Sequence, residues 1–301
     1  MYLQQFEYVV EIANCKSISE AAKKLYISQP GLSKSIQDLE SEIGIQIFKR
    51  TPKGIALTDD GTEFLAYARQ VVEQTDLIET RYKNKLFPKK ICSISTQHYS
   101  FSVMAFSNLL KRYEMPKYDF TLKETRTYEI IQDVANYRSE IGILYLNDFN
   151  RHVLKRLFSE NNLKFTPLFK AKPHVFIYSN HPLADKDIIS LDDLEEFPFL
   201  CFEQGNNNAF YFSEEILSTA TRNKVIHVSD RATLFNLLIG LKGYTICTGI
   251  LNSDLNGNNI ISIPLDISDS MEVGYIINSN IKLSEFANDY IQELIKVINQ
   301  D

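Results

Sequence analysis

The run Ser19-Glu-Ala-Ala-Lys-Lys-Leu-Tyr-Ile-Ser-Gln-Pro-Gly-Leu-Ser-Lys-Ser-Ile-Gln-Asp-Leu-Glu, inside the stretch Phe6 to Arg50, leaves the chain little freedom of fold. Ser19 reads as a hydroxyl N-cap that opens a short helix with Ala21, Ala22 and Leu25 on its apolar face. A turn through Ile27 and Ser28 follows. Pro30 then stands where a proline is tolerated, in the first turn of a second helix whose Leu32, Ile36, Leu39 and Ile43 share one face. Two short helices joined this tightly form a helix-turn-helix. The opposite face carries Gln29, Ser33, Lys34 and Gln37, whose amide, amine and hydroxyl groups suit base edges and phosphates.

The flanking segments extend this unit. A helix over about Tyr2 to Cys15 is expected to bury Leu3, Phe6, Val10 and Ala13 beneath the pair. Ile45–Phe48 and Ile55–Leu57 read as short strands about a turn carrying Pro52 and Gly54, as in the wing of a winged helix. Arg50, Thr51 and Lys53 would reach DNA flanks from there; an ordinary solvated hairpin is the alternative. The chain as a whole carries a net charge of −6, which by itself argues against nucleic acid. Locally the balance reverses. Lys16, Lys23, Lys24, Lys34, Lys49, Arg50 and Lys53 outnumber Glu20, Asp38, Glu40 and Glu42 by three, a modest phosphate footprint that calls for dimerisation.

A long helix is expected from a Thr58 cap, with Asp59 and Asp60 at its positive end, to a stop at Pro88. Leu57, Gly61, Phe64, Ala68, Val71, Thr75, Ile78 and Tyr82 alternate at spacings of four and three. That heptad seam, on a rod of roughly 40 Å, predicts a partner helix from a second chain, with intramolecular packing as the alternative.

Beyond Pro88, strands and helices alternate in two βαβ-like series, implying parallel sheets with right-handed crossovers. The second series includes a helix expected over Ser213 to about Thr221. A final strand, Val273 to Ile277, and a helix, Leu283 to Ile298, are best returned to the first series. The chain then crosses twice, near Thr166 to Phe169 and near Ile263 to Ile267, between two lobes. Ligands of open parallel sheets lie beyond the carboxyl ends of the strands. The loops there supply Thr96, Gln97, His98, Tyr99 and Ser100, then Thr125 and Thr127, Asn147, Phe202 with Glu203 and Gln204, Asp230 with Arg231, and Thr248. An anionic ligand end is expected at Thr96, Gln97 and the N–H groups of the following helix, with Asp230 or Glu203 receiving a cationic tail.

No G-x-S-x-G, phosphate loop or H-E-x-x-H is present, so catalysis finds no support. Cys15, Cys92, Cys201 and Cys247 match no zinc spacing and are expected to be reduced thiols; no metal and no cofactor are implied. The amphipathic start is neither signal peptide nor membrane span, which points to the cytoplasm.

Taken in order, Ser17–Ala22, Ser28-Gln29-Pro30-x-Leu32-Ser33, Leu39-Glu40-x-Glu42-Ile43-Gly44, Phe48-x-Arg50-Thr51 and Leu57-Thr58-x-x-Gly61 resemble the LysR-type transcriptional regulators. Gly31 departs from the Ala or Ser usual there, and Lys34 from Arg or Gln. Ser93–Phe101, Ser139–Asn147 and Ser229–Leu234 resemble a Gram-positive branch linked to sulfur amino-acid uptake. The resemblance implies an α/β chain with an N-terminal all-α winged helix-turn-helix at 1–57, a linker and dimerisation helix at 58–88, and a two-lobed periplasmic-binding-protein-like effector domain at 89–301. Lobe I would comprise 89–165 and 268–301, and lobe II 166–267. The partners it implies are double-stranded promoter DNA, a small-molecule effector, and the chain itself as a dimer or tetramer, with RNA polymerase left open. The competing readings are a solute-binding protein with no DNA role and an enzyme using the cleft.

Overall fold

The computed structural model describes residues 1–51, 54–83, 90–113, 117–207, 209–251 and 258–299. The chain divides into two compact units, Met1–Lys89 and Lys90–Asp301.

In the first unit, α1 (Leu3–Cys15), α2 (Ile18–Lys24) and α3 (Gln29–Ile43) precede a hairpin of β1 (Phe48–Thr51) and β2 (Gly54–Leu57), and α4 (Asp59–Lys83) closes it. The cap of α2 is Ser17, two residues earlier than expected: its hydroxyl accepts from the Glu20 N–H, leaving Ser19 inside the helix. Ser28 caps α3 through the Gly31 N–H, with Pro30 in the first turn. Leu32, Ile36 and Leu39 are buried as the spacing requires. On α1 the buried face is Gln5, Tyr8, Val9 and Ile12 rather than the expected Leu3, Phe6, Val10 and Ala13. The core reaches α1 from α2, α3 and α4, and the face turned toward them is the one enclosed, with Val10 and Ala13 partly buried at its edge. Ile45–Ile47 is not strand. Instead the Glu40 carboxylate accepts from the N–H groups of Ile47 (2.6 Å) and Phe48 (3.0 Å), pinning this connection to α3. The antiparallel wing hairpin registers Phe48 with Leu57 and Thr51 with Gly54.

Thr58 caps α4 as expected, its hydroxyl accepting from the Gly61 N–H at 2.9 Å. The seam divides between two environments. Phe64 stacks on Phe6 with ring centroids 5.8 Å apart, and Ala68 is fully buried in the unit's own core. Ala68 is therefore corrected from a contact between chains to a contact within one. Val71 and Ile78 remain exposed, and Thr75 turns its hydroxyl to the Val71 carbonyl. The side chain of Tyr82, together with Pro52, Lys53 and the Pro88 stop, lies outside the described residues.

The second unit contains a five-stranded sheet ordered β4-β3-β5-β12-β6. Its strands are β3 (Lys90–Thr96), β4 (Tyr118–Glu124), β5 (Ile141–Leu146), β6 (Leu163–Ala171) and β12 (Met271–Asn278), with helices α5 (Ser100–Arg112), α6 (Thr127–Ala135) and α7 (Arg151–Glu160) between them. The first three strands run parallel, while β12 is antiparallel to both β5 and β6. The last helix, α9 (Glu285–Ile298), packs on α5, where the fully buried Tyr290 hydroxyl meets Ser102 at 2.7 Å. Both C-terminal elements thus return to the first sheet. Because β6 stays paired with β12 as far as Ala171, the chain leaves this sheet at Lys172 and Pro173, later than expected.

A second strand group comprises β7 (His174–Tyr178), β8 (Phe199–Phe202), β9 (Val225–Val228), β10 (Thr245–Cys247) and β11 (Ile260–Pro264), with α8 (Arg231–Leu241). Here β8 and β9 are parallel, but β7 is antiparallel to both β10 and β11. This series is therefore mixed, not parallel throughout, because alternation locates a strand without giving its direction. The helix expected over Ser213–Thr221 is absent. Leu217 takes a left-handed φ of 57°, and Glu214 and Glu215 are buried.

Gly61 packs against the Ile47 backbone so closely that a Cβ there would run into the Ile47 carbonyl. Gly61→Ala should destabilise the first unit by about 1–3 kcal/mol, read as a lower midpoint in urea unfolding, with the second unit's transition unchanged.

Candidate functional site

Two regions carry the candidate residues. On the first unit, Ser28, Gln29, Pro30, Lys34 and Gln37 are exposed and Ser33 is half-buried; Pro30, Ser33, Lys34 and Gln37 lie on the side of α3 away from Leu32, Ile36 and Leu39, while Ser28 and Gln29 stand at its N-terminal end. Gln29 donates from its amide nitrogen to the Ser33 hydroxyl at 2.9 Å, which orients both. Arg50 is exposed on β1, and the Thr51 hydroxyl donates to the Gly54 carbonyl. Tyr26 was not singled out from sequence. It is 95% exposed with a left-handed φ of 56° in the turn before α3, so its ring projects from the helix-turn-helix.

In the second unit, the carboxyl ends of β3, β4 and β5 meet the segment after β8. Gln97 is fully buried and makes three side-chain hydrogen bonds. Its Nε2 donates to the Thr127 hydroxyl (2.6 Å), and its Oε1 accepts from the Tyr99 hydroxyl (2.7 Å) and the Tyr145 N–H (3.2 Å). The Thr127 N–H donates to Gln204 Oε1 at 3.1 Å. His98 stacks face to face on Phe202 at 3.8 Å, and its N–H and its Nδ1 both approach Glu214 Oε2 at 2.9 Å. Arg126 pairs with Glu203, Tyr128 packs its edge on Phe212, and Phe149 stacks on Tyr211 at 4.7 Å. Residues 203–207 and 209–215 are thereby strapped across the strand ends of the first sheet.

This arrangement corrects the expected anion position. Thr96 is fully buried and donates its hydroxyl to the Gln97 carbonyl, while Glu214 already occupies the N–H group ahead of α5. The expected acceptors are also engaged, Asp230 in capping α8 through Thr233 and Glu203 with Arg126. Ser100 donates to the Ile250 carbonyl, Thr125 bonds Glu129, and Asn147 closes its own turn with Asn150. Thr248 is buried beside Cys247. The structure thus gathers Gln97, His98, Tyr99, Thr127, Phe202 and Gln204, and leaves Asn147 and Asp230 in separate local motifs.

Sequence reasoning missed Glu214 and Glu215, which it placed within a helix over Ser213 to about Thr221. Glu215 accepts from the Phe202 N–H at 3.0 Å, and burial, reinforced by Glu214, holds its pKa well above the carboxylate range. For His98, burial works against protonation, but the Glu214 charge and hydrogen bond outweigh it and the pKa is raised. The Arg126 hydrogen bond outweighs desolvation and, with a lesser contribution from the Gly205 N–H, holds Glu203 low. A hollow of about 30 Å³, room for about one water, is lined by His98, Phe202, Glu214, Glu215 and Arg231 among others. A larger pocket of about 430 Å³ lies against β8 and β9, between Phe199, Phe202, Glu203 and Glu215.

Residues 3–62 match the family described as "Bacterial regulatory helix-turn-helix protein, lysR family", and residues 91–298 the "LysR substrate binding domain". The chain belongs to the LysR family of bacterial transcriptional regulators. It is 25% identical over 314 residues to the transcriptional dual regulator GltC of Bacillus subtilis, covering all of this chain and 98% of that one. It is 26% identical over 209 residues to the regulator CysB of Burkholderia cenocepacia, covering 67% of this chain and 63% of that one. A solved structure of a C206 mutant of Corynebacterium glutamicum OxyR shares the fold, with a TM-score of 0.52 at 18% identity, over 99% of this chain and 92% of that chain. As a LysR-family chain it is a DNA-binding regulator with an effector-binding domain, and its families are regulators rather than enzymes. No helix among the described residues is long and apolar enough to cross a membrane.

Both His98 and Glu215 bind protons more tightly folded than unfolded, so both contributions to stability fall as pH rises. The His98 contribution is complete below its ordinary value of about 6.5 and is lost as pH passes its raised folded value. Thermal unfolding followed from about pH 6 to about pH 8 should show a declining melting temperature. In His98→Gln that slope should shrink by at most one proton, about 1.4 kcal/mol per pH unit.

Proposed function

We propose that this regulator binds promoter DNA as a dimer, α3 entering the major groove while the wing serves the flank, and responds to a small effector held in residues 89–301. The observation carrying the DNA reading is the exposed amide, hydroxyl and amine face of α3, rigidly backed by the buried Leu32, Ile36 and Leu39. Gln37, Lys34 and Ser33 read bases and phosphates; Ser28, Gln29, Tyr26, Arg50, Thr51 and Lys53 position the unit. The working division is 1–57 for DNA binding, 58–88 for linkage and dimerisation, and 89–301 for the effector. The exposed Val71 and Ile78, with Thr75 between them, support α4 as the dimer contact. Pairing of dimers into tetramers, contact with RNA polymerase and residence in the cytoplasm belong to the same reading.

Three variants test the DNA arrangement in one binding titration. Gln37→Ala should cost about 1–3 kcal/mol at the preferred site and relax base choice there. Arg50→Ala should weaken all sequences alike. Ile78→Glu should dissociate the dimer in sedimentation and abolish tight binding, because one half-site with an excess of three charges is too weak. Equal, sequence-blind losses from the first two would refute the division of labour.

The effector is proposed to be a sulfur amino-acid metabolite, a reading supported by the resemblance of Ser93–Phe101, Ser139–Asn147 and Ser229–Leu234. At a hundredfold excess over its dissociation constant, the correct ligand should stabilise the chain by about 2.7 kcal/mol, a melting shift of a few degrees. A set of cysteine and methionine precursors that leaves the melting point unmoved would sink the pathway reading alone.

A further inference from the structure

Glu124 ends β4 and Arg231 opens α8, so the ion pair between them ties the five-stranded sheet to the second strand group. Arg231 Nη2 lies 3.1 Å from Glu124 Oε1, with the side chains 19% and 23% exposed. The approach is not aligned as a hydrogen bond. Glu124 Oε1 and Arg231 Nη1 are both buried with no hydrogen-bond partner among the described residues. Such unfilled capacity on buried charged groups is costly, and structures rarely keep it without a reason. The neighbouring charges cannot fill it: Asp230 caps α8 and Glu214 is held by His98.

A groove of about 610 Å³ opens on this pair. Its walls are Val103 of α5, Phe235 and Ile239 of α8, and Ile260 of β11, with Glu124, Asp230 and Arg231 as its charged groups. A bare carboxylate entering here would meet Arg231 but also two acidic side chains. A bare amine would meet Glu124 but also the guanidinium. A molecule with both charges on one carbon offers a carboxylate for the Arg231 fork and an ammonium for Glu124, about 3 Å apart and matching the separation of the pair. Its side chain would then lie along Val103, Phe235, Ile239 and Ile260, which are apolar.

We propose that this groove binds an α-amino acid with an aliphatic side chain, recognised as a zwitterion by Arg231 and Glu124. The inference rests on the reading of residues 89–301 as effector-responsive and names the ligand class. Binding alongside the misaligned ion pair adds two hydrogen-bonded ones and keeps the bridge between the strand groups.

The test is calorimetric titration of the purified full-length chain with L-leucine, L-methionine, glycine, isocaproate (leucine without its amine) and isoamylamine (leucine without its carboxylate). Leucine or methionine should bind saturably. Glycine and both truncated analogues should be weaker by at least tenfold. Glu124→Gln and Arg231→Gln should each reduce the binding at least tenfold. Ile239→Asp, at an exposed position, should do the same without touching the ion pair, which covers the case in which an ion-pair variant fails to fold. Isocaproate or isoamylamine binding as well as leucine would overturn the zwitterion, and so would leucine affinity unaltered in all three variants, or no amino acid binding at all. If leucine binds with these dependences yet leaves the footprint on selected genomic DNA unchanged, the site stands and the effector-responsive reading falls. If another small molecule changes the footprint while no amino acid binds, the reverse holds.

Discussion

Strand β12 is hydrogen-bonded along both edges, to β5 and to β6, and much of the second unit depends on that double pairing. A strand contributed from residues 271–278 to a sheet begun at residue 90 forces the chain to leave the sheet and come back. Everything between β6 and β12 is therefore built on two tethers, at Lys172–Pro173 and at 265–270, instead of one. Gly274 permits the pairing locally, since a Cβ there would strike the ring of Phe165 and the Thr166 carbonyl. A single buried core nonetheless spans both strand groups, joining Ile94 and Ile143 of the first to Val175 and Ile246 of the second.

Polar contacts across the two strand groups follow from that geometry. The strap of residues 203–207 and 209–215 brings Glu203 to Arg126, Gln204 to Thr127 and Glu214 to His98, each partner standing at the carboxyl end of a first-sheet strand. Such contacts hold their full value only while water is excluded and partners are aligned. A ligand that binds here must replace them with contacts of its own, so differential affinity for joined and separated strand groups is available to it. Buried groups left without partners beside a network otherwise well satisfied are then the informative exceptions.

In the first unit, a small core is enclosed by short elements. Glu40 reaches from α3 to two N–H groups at the start of the wing, and Thr58 and Gly61 lock α4 against the same connection. These fixings make the α3 surface rigid while adding nothing to its chemistry. The division between the core-facing residues of α3 and its polar face costs no strain, because helical periodicity alone separates them.

The sequence by itself determined the helix-turn-helix, the hairpin, the long helix capped by Thr58 and most of the strands and helices beyond it, because these depend on local caps, turns and apolar period; it missed α7, β6 and β11 and placed a helix at Ser213–Thr221 where there is none. It also located Gln97, His98 and Gln204 in one cluster, since strand ends in such sheets converge. Only the tertiary structure decided which side of α1 is buried, that Ala68 faces its own chain, and that β7 runs antiparallel to its neighbours. Glu214 and Glu215 show the reason most clearly. Two adjacent carboxylates carry no local sign of burial until His98 and the Phe202 N–H, 116 and 13 residues away in sequence, are brought against them. Local pattern fixes what each segment can form; the partners that reverse a residue's preference for water are supplied by distant segments, whose approach no local pattern encodes.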